Sequence, residues 1–288
     1  MKPAPLGVRD VLGPARVRLH GGSVLDELTA RFGEAARAKV LAGEVVADDG
    51  AVVDTDTVSA PGSFIYLHRE LPDEVPVPFD LPVLHQDDDI VVVDKPHFLA
   101  TMPRGRHVVQ TALVRLRCGL GLPELSPAHR LDRLTAGVLL FTTRRELRGR
   151  YQTLFANGKV GKSYLARAAV DPTLVSPRIV RSRIVKRRGH LQAVCEPGEY
   201  NAETLVELIS ADGLYRLTPR TGRTHQLRVH MASLGLPIIG DPLYPKVIPE
   251  NDQDRSDFSM PLKLLAQRIE FTDPITGLHR EFVSHRKI

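Results

Sequence analysis

Pro72, Pro76, Pro78 and Pro82 fall within eleven consecutive residues. Proline fixes φ and offers no backbone N–H, so this segment cannot be a helix interior and favours extended backbone. The charge balance changes at the same place. Residues 1–80 carry 8 Lys+Arg and 13 Asp+Glu, whereas the remainder carries 31 and 21. Together these features predict a small domain over residues 1–71, a linker over 72–82 and a larger domain over 83–288.

Before the linker, Ser23 to Phe32 reads as an amphipathic helix with Leu25 and Leu28 inward, and a second helix runs from Ala35 to Leu41 and ends at Gly43. Strands follow at 44–47, 51–53 and 64–67, with Asp49-Gly50 as a tight turn between the first two. Beyond the linker, Ile90 to Val93 is an apolar strand that runs into Asp94-Lys95-Pro96, and Val138 to Phe141 is a second buried strand. Thr143 and Glu146 have the spacing of a capping box, opening a helix with Leu147, Tyr151, Leu154 and Phe155 on one face. Asn157-Gly158 closes it. Residues 162–170 read as a strand with Tyr164, Ala166, Ala168 and Val170 on one side. Further strands are expected at 202–209 and 213–219, then a helix from His225 to Leu234 stopped by Gly235 and Pro237. Strands dominate, so the fold class is α+β.

No apolar run approaches the roughly 20 residues that span a bilayer, and the first residues lack the apolar stretch of a secretory signal. Cys118 and Cys195 are the only thiols, too few for a disulfide framework or a thiol-built zinc cluster. A reducing cytoplasm is the expected location, with no membrane partner. Residues 140–190 hold 13 Lys+Arg against Glu146 and Asp171 alone. A basic concentration of this kind suits a polyanion, because each neutralised phosphate releases counterions. Nucleic acid is the expected partner.

Three segments carry the candidate chemistry. His129-Arg130-Leu131-Asp132-Arg133-Leu134-Thr135-Ala136-Gly137 sets one carboxylate between two arginines ahead of an apolar strand. Lys162-Ser163-Tyr164-Leu165-Ala166 places a tyrosine on a strand, and Thr221-Gly222-Arg223-Thr224-His225-Gln226-Leu227-Arg228-Val229-His230 forms the third. In order and spacing they resemble the HRLD, K-x-Y-L-A and G-R-x-H-Q-L-R motifs of the RluA-type pseudouridine synthases. Asp94-Lys95-Pro96 and Gly240-Asp241-Pro242-Leu243-Tyr244 also follow that family's pattern, the latter as a structural turn. The resemblance covers residues 85 to 285.

The resemblance implies a mixed, mainly antiparallel sheet in the larger domain. The front domain is similar to a degenerate form of a small α/β RNA-binding domain of ribosomal-protein type. With only Arg31, Arg37 and Lys39 on its second helix and nearby, RNA binding and a packing role are both open for it. The resemblance further implies isomerisation of one uridine in a structured ribosomal or transfer RNA, by base flipping and glycosidic cleavage, with no cofactor, no metal, no DNA partner and a monomeric state. Asp132 would be the catalytic carboxylate, Tyr164 the ring against the flipped uracil, and Arg228 the bidentate partner of Asp132. Arg130 would fill the gap left by the flipped base. Arg133, Arg223 and His225 would contact substrate.

Other classes fit less well. A glycosidase usually needs two carboxylates, and the three segments supply one. His225 and His230 lie five apart, about 140° around a helix, unlike the i, i+4 pair that ligates a metal from one face. A non-catalytic RNA-binding protein on the same scaffold is the main alternative; a copy without activity is free to lose Asp132, Tyr164 or Arg228, and all three are present.

Overall fold

The computed structural model describes residues 5–6, 13–68, 74–105, 107–173, 176–249 and 256–288. The chain divides into two compact units, Met1–Asp73 and Glu74–Ile288.

In the first unit, β1 (Ala15–Arg18), β3 (Val45–Ala47) and β5 (Phe64–Leu67) form an antiparallel sheet in the order β1-β5-β3. A two-stranded piece pairs β2 (Gly22–Ser23) with β4 (Val58–Ser59). Helix α1 (Val24–Phe32) starts where Ser23 Oγ accepts the Asp26 N–H. With α2 (Glu34–Leu41) it buries Val24, Leu28, Ala36 and Val40 against Val45, Ile65 and Leu67. The expected strand at 51–53 is a single bridge, Val46 to Val52, across a turn in which Gly50 takes φ +90°.

The second unit begins inside the segment expected to be a linker. Residues 72 and 73 lie outside the described residues, but from Glu74 onward the segment is packed. The Glu74 carboxylate accepts the N–H groups of Val108, Val109 and Gln110. Val77 is buried in the core, and Arg115 donates to the Val77 and Phe79 carbonyls. Prolines keep this stretch extended and without N–H groups of their own, so an arginine and a glutamine suffice to satisfy it. The boundary therefore falls at 73/74, and residues 74–82 belong to the larger unit.

The strands of this unit are β6 (Val83–Gln86), β7 (Ile90–Lys95), β8 (Ser126–Pro127), β9 (Ala136–Thr142), β10 (Gly161–Arg167), β11 (Arg178–Val185), β12 (Val194–Glu196), β13 (Ala202–Ser210), β14 (Leu214–Pro219), β15 (Leu264–Thr272) and β16 (His279–Val283). Among the described residues they make one mixed sheet of eleven strands, β12-β11-β13-β14-β10-β15-β9-β7-β6, with β16 on β15 and β8 on β9. All pairings are antiparallel except β9 with β15. The helices are α3 (Ala112–Leu120), α4 (Arg148–Ala156) and α5 (Gln226–Ser233). None of the described helices is long and apolar enough to cross a membrane.

The expected capping box does not form. Thr143 Oγ1 donates instead to the Asp88 carbonyl in the β6–β7 turn, and a 3₁₀ turn at Arg145–Leu147 precedes α4. Tyr151 is still buried, as the periodicity requires.

The parallel contact of β9 with β15 depends on a glycine. Gly137 takes φ +113°, and a Cβ there would lie 2.7 Å from Ala266 N and C and closer still to its carbonyl oxygen. Gly137→Ala is expected to lower stability by about 3 kcal/mol or more, from backbone strain and overpacking together. Chemical denaturation measures it, and a loss below about 0.5 kcal/mol would contradict this account of the glycine.

Candidate active site

A cleft of about 520 Å³ opens in the larger unit beside the β9–β15 contact, lined by residues of all three signature segments. His129 to Asp132 and Thr135 come from the stretch between β8 and β9, Tyr164 from β10, and residues 221–228 from the loop into α5. Leu134 and Tyr164 pack against two hydrophobic clusters at once, so the floor of the cleft is the seam between them.

Asp132 is held by its own backbone: its carbonyl accepts the Thr135 N–H at 3.0 Å, closing a turn that leads into β9. His129 braces the same segment. Its ring stacks on Phe155 at 4.2 Å, and Nε2 accepts the Leu140 N–H. Burial pushes the His129 pKa down to about 3, so the ring is neutral. Thr101 Oγ1 donates to the Leu131 carbonyl and accepts the Leu131 N–H.

Beneath this turn lies Lys95, fully buried at the end of β7. Its Nζ donates to the carbonyls of Pro96, Leu99 and Arg133, at 2.9, 2.7 and 3.3 Å. Burial pushes its pKa well below the usual lysine range, and the nearby Asp132 charge opposes that shift. The lysine thus ties two loops together beside Asp132.

Tyr164 lies two residues before Ala166 on β10 and packs in the same hydrophobic cluster, so the strand's alternation turns both to one face. The register against β15 shifts beside it, Ser163 pairing with Arg268 and Tyr164 with Ala266, so the extra residue of the bulge is Gln267 of β15. Burial, then the charge of Asp132, raises the Tyr164 pKa, so the hydroxyl keeps its proton.

Arg228 sits in the first turn of α5 with its side chain 3% exposed. The expected bidentate pair with Asp132 is not what forms. Nε and Nη2 donate to Asp241 at 2.7 and 2.6 Å, and Nη1 is left 3.6 Å from Asp132 Oδ2. The reason is geometric: the Asp241 side chain is fully buried and fixed by the Leu243 and Tyr244 N–H groups, so it matches the fork, whereas Asp132 meets it end-on. The turn at 240–244, expected to be only structural, supplies this partner.

His225 also departs from expectation. It precedes the helix, with φ +58°, rather than opening it. Gln226 anchors the loop: its Oε1 accepts from Thr221 Oγ1 and the Arg223 N–H, and its Nε2 donates to the Glu203 carbonyl and Thr204 Oγ1. The His225 ring is thereby turned into the cleft, with Nε2 3.9 Å from Asp132 Oδ2 and Nδ1 3.0 Å from Tyr244 Oη.

Arg130 is exposed on the cleft lining, and Arg223 lines it with Nε on the Asn201 carbonyl. Arg133 does not line it; what it contributes there is the carbonyl held by Lys95. Lys95, Asp241 and Tyr244 are the site residues that motif reading passed over, although each stood in a segment already singled out. Among the described residues, Glu270, His279 and Glu281 bring ligand atoms within 4.8 Å of one another, but both carboxylates are engaged by Arg268 and none lines the cleft.

Comparison with known proteins points the same way. Residues 89–233 match the family model for RNA pseudouridylate synthase. The chain is 33% identical over 217 residues to the human pseudouridylate synthase RPUSD2, a match covering 73% of this chain and 39% of that protein. It is 31% identical over 229 residues to the mitochondrial tRNA pseudouridine(32) synthase of Saccharomyces cerevisiae, covering 76% of this chain and 49% of that one. The matched stretch thus spans less than half of either relative. Among solved structures, human RNA pseudouridylate synthase domain containing 4 superposes with a TM-score of 0.53 at 27% identity, over 70% of this chain and 87% of that one.

Proposed function

This chain belongs to the RluA-type RNA pseudouridine synthase family, and from that premise we propose that it isomerises one uridine of a folded RNA to pseudouridine. The observation that carries the proposal is the cleft itself. A half-exposed carboxylate, Asp132, lies 3.6 Å from a buried guanidinium and beside a protonated tyrosine.

In this reading the target uridine is flipped into the cleft and Arg130, at its rim, takes the vacated place in the helix. The Asp132 carboxylate acts at the sugar and the bond from C1′ to N1 of uracil breaks. The base turns against the Tyr164 ring, C5 bonds to C1′, the C5 proton leaves and N1 gains one. Atoms and electrons balance without a cofactor. Arg228 orients Asp132, and Arg223 and His225 contact the substrate.

Loops and bulges of structured RNA offer the unstacked base this requires. Transfer RNA, named in the yeast relative, and ribosomal RNA are the candidate pools, and the cytoplasm is the proposed place of action for a monomer. The smaller N-terminal unit is assigned a positioning role on the same RNA. Arg144, Arg145 and Arg150, with Lys186, Arg187 and Arg188, are exposed and supply the phosphate-binding surface. Arg187 already pairs with Glu196. Neutralising Lys186, Arg187 and Arg188 together is therefore expected to reduce the salt slope of RNA binding by about one or two, against an order of one per phosphate contact. Filter binding across a salt series reads this, and an unchanged slope removes the β11–β12 connection from the interface.

Pseudouridine mapping of total transfer and ribosomal RNA, from cells with and without the gene, tests the function. The expected result is a site lost on deletion and restored by wild type but not by Asp132→Asn. No lost site in either pool would favour the binding protein without catalysis.

A further inference from the structure

Asp132 and His225 confront one another in the cleft as two hydrogen-bond acceptors. Tyr244 Oη accepts the Ala193 N–H at 2.7 Å and donates its one proton to the Ala193 carbonyl at 2.9 Å. His225 Nδ1 lies 3.0 Å from that oxygen, so the ring must carry its hydrogen on Nδ1 and donate it to Tyr244. Nε2 is then a bare lone pair. It faces Asp132 Oδ2 at 3.9 Å, beyond hydrogen-bond distance. Burial holds the imidazole pKa below its usual value despite the Asp132 charge, which keeps the ring neutral. The left-handed backbone at His225 and the edge-on packing of its ring against Tyr244 fix the direction of the lone pair.

We propose that His225 Nε2 accepts the hydrogen bond of the ribose 2′-hydroxyl of the target uridine, and that this contact makes the site select RNA over DNA. The inference rests on the reaction proposed above. If Asp132 acts at the sugar, the 2′-oxygen on the neighbouring carbon comes within reach of a nitrogen 3.9 Å from the Asp132 oxygen. The hydroxyl is a donor for the Nε2 lone pair. Directing its proton to Nε2 also keeps it off the carboxylate oxygen that must approach the sugar. A deoxyribose leaves the Nε2 lone pair unsatisfied and facing a carboxylate beneath the bound nucleotide, which is how a polar site rejects an analogue that lacks one hydroxyl.

The test is a double-mutant cycle on a short synthetic RNA that carries the mapped uridine, with either ribose or 2′-deoxyribose at that one nucleotide. Single-turnover rates are measured for wild type, His225→Phe and His225→Gln. The phenylalanine keeps the ring and removes the acceptor, and the glutamine amide oxygen reaches the position of Nε2. Removing the 2′-hydroxyl is expected to slow wild type about tenfold, and His225→Phe should lose a similar factor on the ribose substrate. The two changes together should cost no more than either alone, and His225→Gln should regain sensitivity to the hydroxyl. Deoxy substitution that slows His225→Phe by the same factor as wild type overturns the role of His225. If His225→Phe does not fold, His225→Gln decides alone, and its indifference to the hydroxyl overturns that role equally. A wild type that forms no pseudouridine overturns the reaction itself, a separate failure.

Discussion

Asp132→Asn is expected to bind RNA as tightly as wild type and to form no pseudouridine. The amide has the shape of the carboxylate, and the Asp132 side chain is 34% exposed, so the exchange leaves no buried void. The turn that positions residue 132 is closed through its backbone carbonyl, which the substitution does not touch. What changes is charge. An amide oxygen is a poor nucleophile and a poor base, and Arg228 Nη1 loses the anion it faces. A fall in single-turnover rate on the order of 10³-fold or more is expected. Affinity for a polyanion should be unchanged or slightly higher, because one negative charge has left a basic cleft. Filter binding at fixed salt and a single-turnover assay on the mapped RNA separate the two quantities. A variant that turns over within tenfold of wild type would remove Asp132 from the chemistry.

The residues that line the cleft were more legible than the interactions that aim them. Asp132, Tyr164 and Arg228 stood in three motifs with ordered spacing, and the structure brings all three to one place. Local pattern could not see the bulge at Gln267 of β15, because a register shift between β10 and β15 is decided by two strands about 100 residues apart. It read His225 as the first residue of a helix, since helix propensity does not register a loop pinned by Gln226 to β13. The Thr143 capping box failed for a related reason: the hydroxyl had a better-placed acceptor at Asp88, distant in sequence and adjacent in space. The prolines at 76 and 78 rightly excluded a helix, but a segment without regular structure packs as readily as it links once Arg115 and Gln110 satisfy it.

Arg228→Ala is expected to cost stability as well as activity, and the second loss exposes what Asp241 does. Both side chains are buried, and two short hydrogen bonds join them. Without the guanidinium, Asp241 is left as a buried carboxylate with only the Leu243 and Tyr244 N–H groups. Breaking one side of such a pair typically costs about 3–5 kcal/mol. For a unit of this size that is a fall in Tm of roughly 10 °C, which calorimetry reads directly. A Tm within about 2 °C of wild type would mean that the pair is not a structural anchor. Arg228→Lys retains a charge but not the fork, so it should recover part of the stability and little of the rate. Asp241→Asn supplies the complementary result. It keeps the shape of the anchor but removes the charge that holds Nε and Nη2, so the guanidinium is no longer obliged to present Nη1 alone to Asp132. The rate should therefore fall while RNA affinity holds, because the group that changes orientation serves the carboxylate and not the phosphates.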